Sequence, residues 1–217
     1  PLVLKGDVDG AEAWFQWLLS IGGRPSAPAY QAVIATCTAA GRVDRAEFWL
    51  ERLRQDESRD DWEGAADRDQ RGVLLGLLQA AGKARLPEQA SHWLAEMQRR
   101  QLDPGSQGYT AAISACAKSE DPAGAVRHFD EMIAAGVKPD MISFGVVINA
   151  LEYHGSLRGD RGLVDEAVKR MQSMKEYRLQ PDAKIMKQII GALVKVGRKK
   201  EANELWELQN TAKPPER

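Results

Sequence analysis

Few residues of this chain have the types and spacing that chemistry needs. Its three histidines, His92, His128 and His154, lie far apart, with no carboxylate or cysteine at metal-ligand spacing. Its two cysteines, Cys37 and Cys116, form neither a disulfide framework nor a zinc quartet. Asp165 and Glu166 form an acidic pair, but they open a helix, where they serve the helix dipole. There is no phosphate-binding loop, no GxSxG elbow and no dinucleotide fingerprint. The residues imply no enzyme, no cofactor, no metal and no small-molecule substrate.

The bulk numbers agree with a folded binding protein. The 217 residues are 43% hydrophobic and 28% charged, with a net charge of −1. That balance lacks the basic excess usual in proteins that live on phosphates. Apolar stretches reach only about a dozen residues, too short to span a bilayer. No signal or transit segment is visible, and Pro1 to Lys5 reads as the tail of a helix, as in a fragment or a processed chain.

What must position any site is a repeat. A block Ala-x-x-Trp-Leu-x-x-Leu/Met occurs at Ala46, Trp49, Leu50, Leu53 and at Ala90, Trp93, Leu94, Met97. Looser copies start at Ala11 (with Trp14, Phe15, Leu18), Ala125 (His128, Phe129, Met132), Ala167 (Arg170, Met171, Met174) and Ala202 (Leu205, Trp206). The alanines are 35, 44, 35, 42 and 35 residues apart. A second block precedes each full copy, with apolar residues at i, i+1 and i+4: Val33, Ile34, Cys37; Leu74, Leu75, Leu78; Ala112, Ile113, Cys116; Val147, Ile148, Leu151; Ile189, Ile190, Leu193. That spacing gives one helical face.

Gly41, Gly82, Gly155 and Gly197 each follow such a face by four residues, where a left-handed glycine ends a helix. Each repeat therefore reads as helix A, a glycine turn, then helix B. Pro25, Pro104, Pro139 and Pro181 close the B helices, and a short polar residue such as Asp140 or Asp182 can open the next A helix. The tryptophans and cysteines at helical spacing read as core. No segment has the period of a strand, so the fold class is all-α.

The 35-residue period, the Pro-Asp ending and the aromatic near the start of helix A (Tyr30, Tyr109, Phe144) resemble the pentatricopeptide repeat. The tetratricopeptide repeat, with a period of about 34 residues and other signature residues, fits less well. The resemblance implies a right-handed α-solenoid of stacked helix-turn-helix repeats. It would form a single domain over 1–217, with a half repeat at 1–26 and full repeats at 27–61, 68–105, 106–140, 141–182 and 183–217. Residues 62–67 interrupt the array. Repeats two and four carry extra residues around Lys83–Pro87 and Ser156–Gly162, placed in the turns between A and B helices. Arg158 and Arg161 in the second of these form a candidate contact loop.

Members of the family typically bind single-stranded RNA along the A helices, one base per repeat, and the resemblance implies the same ligand here. The base is chosen largely by the residue after the helix-A aromatic and by the last residue of the repeat. On this chain those positions are Gln31 with Asp61, Gly72 with Gly105, Thr110 with Asp140, Gly145 with Asp182, and Lys187 in the last repeat. Only Thr110 with Asp140 matches a family pair, one that favours guanine; glycine has no side chain to read a base edge. The apolar base-sandwiching position is suitably filled only by Ile142. The deaminase domain of some members is absent, since no HxE with a later CxxC occurs.

Charge qualifies the RNA reading. The A helix of repeat one carries no charge, and only the last is basic, with Lys184, Lys187 and Lys195. Those lysines, with Lys118, Arg158 and Arg161, are the candidate contacts to phosphate or to a partner. Seven acids between repeats one and two (Asp56 to Asp69) would repel phosphate. Two readings stand: an RNA-binding scaffold of organellar gene expression with partial base selectivity, or a protein–protein scaffold in a large organellar assembly such as a ribosome or photosystem. The family resemblance implies a mitochondrial or plastid location.

Overall fold

The computed structural model describes residues 7–23, 25–57 and 67–211. They form eleven α-helices, one 3-10 helix (Met174–Tyr177) and no strand, so the all-α expectation holds among the described residues. The chain divides into two compact units, Pro1–Ala115 and Cys116–Arg217.

The first unit holds α1 (Val8–Ser20), α2 (Ala27–Ala39), α3 (Val43–Glu57), α4 (Asp67–Ala84), α5 (Pro87–Arg99) and most of α6 (Gly105–Lys118). Here α2 packs on α3 and α4 on α5 as helix A with helix B, and the A helices α2 and α4 touch directly. The core starts from Phe15, whose ring centroid lies 4.6 Å from both Tyr30 and Trp49. All three are buried.

The unit is also pinned by carboxylates that follow the repeat alanines. Glu12, next to Ala11, accepts two hydrogen bonds from Arg45 (2.9 and 2.7 Å) and one from the Trp49 indole (2.8 Å). Glu47, next to Ala46, accepts from the Trp93 indole at 3.0 Å. Trp49 and Trp93 are thus each both an apolar plug and a donor to the previous B helix.

The second unit holds α7 (Pro122–Ala134), α8 (Met141–Arg158), α9 (Arg161–Ser173), α10 (Ala183–Lys195) and α11 (Lys199–Thr211). Phe144 is its aromatic centre, 4.9 Å from Phe129 and 5.6 Å from Tyr177. At the motif position of tryptophan stands Arg170, which pairs with Asp130 at 2.6 Å and lies 5.4 Å over the Phe129 ring.

Two expectations need correction. Gly41 and Gly197 do end α2 and α10 with φ of +73° and +84°. Gly82 and Gly155 do not end theirs; both lie inside longer A helices, and both are buried. A Cβ on Gly82 would meet the Ala111 carbonyl oxygen at 2.7 Å, and one on Gly155 would meet Val164 at 2.9 Å. These glycines permit close packing. The extra residues of repeats two and four lengthen α4 and α8 to 18 residues each. The left-handed stop moves to Arg85 and Gly159.

The second correction concerns tryptophan. Trp49 and Trp93 are core, but Trp14, Trp17 and Trp206 are 42%, 57% and 57% exposed. They lie on α1 and α11, on faces against which no described helix packs.

Candidate nucleic-acid interface

The A-helix face of the second unit is built by two capped helices. Asp140 opens α8 with a reciprocal capping box, its carboxylate accepting from the Ser143 N–H at 2.8 Å and Ser143 Oγ accepting from the Asp140 N–H. Asp182 opens α10 by accepting from the Ile185 N–H at 2.8 Å. The two family-implied base readers that end repeats three and four are therefore helix caps in this chain. Each cap satisfies an N–H that the helix leaves unbonded.

From those caps, α8 exposes the stripe Ile142, Asn149, Tyr153 and Leu157, with Ile142, Tyr153 and Leu157 66%, 56% and 69% exposed. Helix α10 exposes Lys184, Lys187, Val194 and Lys195. The stripes meet where Gln188 donates to Asn149 at 2.6 Å and where Lys195 approaches Glu152 at 4.0 Å. Nothing lies within 4 Å of a Cβ on Gly145 or Gly191, so the face is open at both glycines. Among the described residues, Lys184 and Lys187 have no ion-pair partner. Nothing in the sequence pattern singled out Tyr153 or Leu157; an exposed aromatic on the A-helix stripe was the available signal.

The first unit presents a different A-helix face. A cleft of about 250 Å³ opens between α2 and α4, lined by Gln31, Ile34, Thr38, Gly72, Val73 and Gly76. It holds no charge. Gln31 and Gly72, two predicted base-reading positions, are both on its wall. Thr110 on α6 is half-buried, and its Oγ1 is enclosed without a hydrogen bond. Thr110 and Asp140 belong to different units. Lys118 ends α6. Asp61 lies outside the described residues.

The B-helix side of the first unit is acidic. A second cleft of about 450 Å³ is lined by Glu47, Glu51, Glu88, Gln89 and His92 over Leu50 and Trp93.

Chemistry remains sparse. Burial pushes the Cys37 thiol up to about 11, helped by the charge of Glu12, and pushes Cys116 to the same value, helped by Asp121. Such thiols are small packed hydrophobes at neutral pH. The Arg99 and Arg100 guanidiniums hold the Glu96 carboxyl down to about 2. One histidine was misjudged from spacing: buried His128 has Glu131 one helical turn on, Nδ1 to Oε2 at 2.8 Å. His154 is buried with neither ring nitrogen hydrogen-bonded. Among the described residues no three His, Cys, Asp or Glu side chains gather to hold a metal, and no helix is long and apolar enough to cross a membrane.

Known proteins match this arrangement. The profile of the PPR repeat family matches residues 104–152. One pentatricopeptide repeat-containing protein of Arabidopsis thaliana is 35% identical over 39% of this chain, and another, chloroplastic, is 27% identical over 88%. The chain spans only 13% and 21% of these relatives. Among solved structures, nuclear proteinaceous RNase P 2 of A. thaliana superposes with a TM-score of 0.70 at 14% identity, over 88% of this chain and 40% of that one. The PPR domain of A. thaliana protein-only RNase P 1, in complex with tRNA, gives 0.59 at 16% identity, over 85% and 89%. At such identity these two show the fold. The repeat match, the relatives and the paired helices agree on one architecture, a stack of helix pairs of the pentatricopeptide-repeat type.

Proposed function

We propose that this chain is a non-enzymatic scaffold that binds single-stranded RNA along the A-helix face of its second unit, with partial base selectivity, in a plastid or mitochondrion. The observation that carries this reading is the pair of unneutralised lysines, Lys184 and Lys187, on α10 beside α8. Cations free of carboxylates can displace counterions from phosphate, which is where much of nucleic-acid affinity originates. The openings at Gly145 and Gly191 leave room for a base near the helix backbone. Selectivity is partial because glycine at 145 offers no donor or acceptor, and Asp182, its family-implied partner, already accepts from the Ile185 N–H as the cap of α10. The tRNA complex of the RNase P 1 domain supports an RNA ligand, and the chloroplastic relative supports an organelle.

The test is anisotropy of a labelled single-stranded RNA at physiological salt. Wild type should bind, and K184Q/K187Q should bind more weakly, with the dependence of log K on log salt reduced by about 0.7 per lysine. Unchanged affinity and slope in K184Q/K187Q would reject the A-helix path.

One observation favours a second reading. The charge-free cleft of α2 and α4 suits an apolar side chain of a protein partner better than a phosphate strand. Co-purification in a stoichiometric protein complex, with no RNA affinity, would select the protein scaffold.

A further inference from the structure

The extra turn of α8 creates a feature that the A-helix path does not use. Helices α8 and α10 start at equivalent points, one residue after the capping Asp140 and Asp182. Helix α10 stops at Lys195 after 13 residues, whereas α8 runs 18 residues to Arg158. Five more residues carry it about 7 Å further at the usual rise. That length holds Leu157 and Arg158, both exposed. Gly159 then ends the helix at φ +66°, Asp160 caps α9, and exposed Arg161 is the first residue of α9.

The arginines therefore flank a two-residue turn, and that turn adjoins the next one. A terminal nitrogen of Arg161 lies 3.9 Å from where a Cβ on Gly197 would sit, in the turn between α10 and α11. Helix α11 opens with Lys199 and Lys200, both exposed. Arg158, Arg161, Lys199 and Lys200 have no ion-pair partner among the described residues. The neighbouring charges are already matched: Arg198 pairs with Asp165 and Glu201, Lys195 with Glu152, and the Asp160 carboxylate caps Gly162 and Leu163.

Three of the four cations occupy the first turns of α9 and α11, where the helix dipole already leaves positive potential. The one acid in these two first turns, Glu201 of α11, is paired with Arg198. On α8, five residues ahead of Arg158 and one turn before Leu157 on its stripe, Tyr153 exposes its ring. Unpaired cations beside an exposed aromatic ring suit a single strand, with phosphates on the cations and a base stacked on the ring.

We infer that the edge formed by the α8–α9 and α10–α11 turns is a second RNA contact, one that grips phosphates and stacks a base on Tyr153 without reading sequence. This rests on the RNA reading and extends it from the A-helix face to the turn edge.

The experiment titrates the full chain with a labelled oligouridylate across a salt series, beside variants whose helicity is checked by circular dichroism. In R158Q/R161Q, affinity should fall about tenfold near physiological salt and the salt slope by about 1.4, for two phosphates released. K199Q/K200Q should behave alike. Y153A should lose about tenfold with the slope unchanged, and Y153F should bind as wild type does.

Wild-type affinity and slope in R158Q/R161Q would overturn the edge. If K184Q/K187Q alone weakens binding, the A-helix path stands and the edge falls. If R158Q/R161Q alone does, the edge stands and the A-helix path falls. No RNA binding by wild type, with retention on polyglutamate lost in R158Q/R161Q, would overturn the inference and assign the edge to an acidic polypeptide.

Discussion

In the first unit, the A helices α2 and α4 border a cleft with no charge, lined in part by Gly72 and Gly76. In the second, α8 and α10 carry unpaired lysines, an exposed tyrosine and a cationic turn edge. The packing beneath is alike: a buried aromatic of helix A against residues of helix B, with B helices linked through side chains to a carboxylate. The residues that hold the helices together are thus separate from those that face a ligand. One scaffold can therefore present unlike surfaces along its length at little cost to its core.

The comparison breaks most readily at the tryptophans. Trp49 fills the first unit's core at 1% exposure, whereas Trp206 of the second unit is 57% exposed. Trp49→Ala should cost about 3–5 kcal/mol, and Trp206→Ala should stay within about 0.5 kcal/mol. Urea denaturation of the two variants measures both. Equal losses would mean that repeat position, rather than burial, sets the worth of the motif tryptophan.

The B-helix links give the next effect. Glu12 is nearly enclosed and holds two donors, while Asp130 is about half exposed. Glu12→Gln should cost about 2 kcal/mol, the scale of hydrogen bonds to a charged group. Asp130→Asn should cost under about 1 kcal/mol. The Arg45 hydrogen bonds chiefly hold the Glu12 carboxyl below its ordinary value of 4.5. The stabilisation is therefore complete above that value and is lost as pH falls through the lower folded one. Denaturation at falling pH should show wild type converging on Glu12→Gln, and a constant gap between them would refute the ionic link.

A smaller effect is expected at His154, whose ring is buried with both nitrogens unbonded. Replacing an unsatisfied polar group by an apolar one of similar size removes a desolvation penalty. His154→Leu should raise stability by about 1 kcal/mol, seen as a higher Tm. A fall would mean that the imidazole makes a contact that leucine cannot.

How much of this was legible depended on how local each signal is. The helix pairs and the buried Tyr30, Tyr109 and Phe144 were readable because helical periodicity is a property of neighbouring residues. Gly82 and Gly155 were misread as helix ends. An insertion of a few residues can lengthen a turn or lengthen a helix, and the flanking Gln79-Ala-Ala and Leu151-Glu-Tyr continue a helix well enough to carry it through glycine. The exposure of Trp14 and Trp206 could not be read at all, since it depends on which helix lies alongside. The candidate lysines were legible as charge. The edge that joins Arg161 to the α10–α11 turn was not, because it arises only when two turns pack side by side.

The last test moves a feature of one unit into the other. Gly72 is exposed on the wall of the uncharged cleft, and nothing lies within 4 Å of a Cβ built there. A lysine at that site can extend into solvent without disturbing the core. If the second unit binds RNA because its A-helix face carries unpaired cations, Gly72→Lys should raise RNA affinity by roughly 2–10-fold. It should also steepen the salt slope by about 0.7, the contribution of one added phosphate contact. An unchanged slope would mean that the strand does not reach the first unit's A helices. The neutral cleft would then be left to a partner that carries no phosphate.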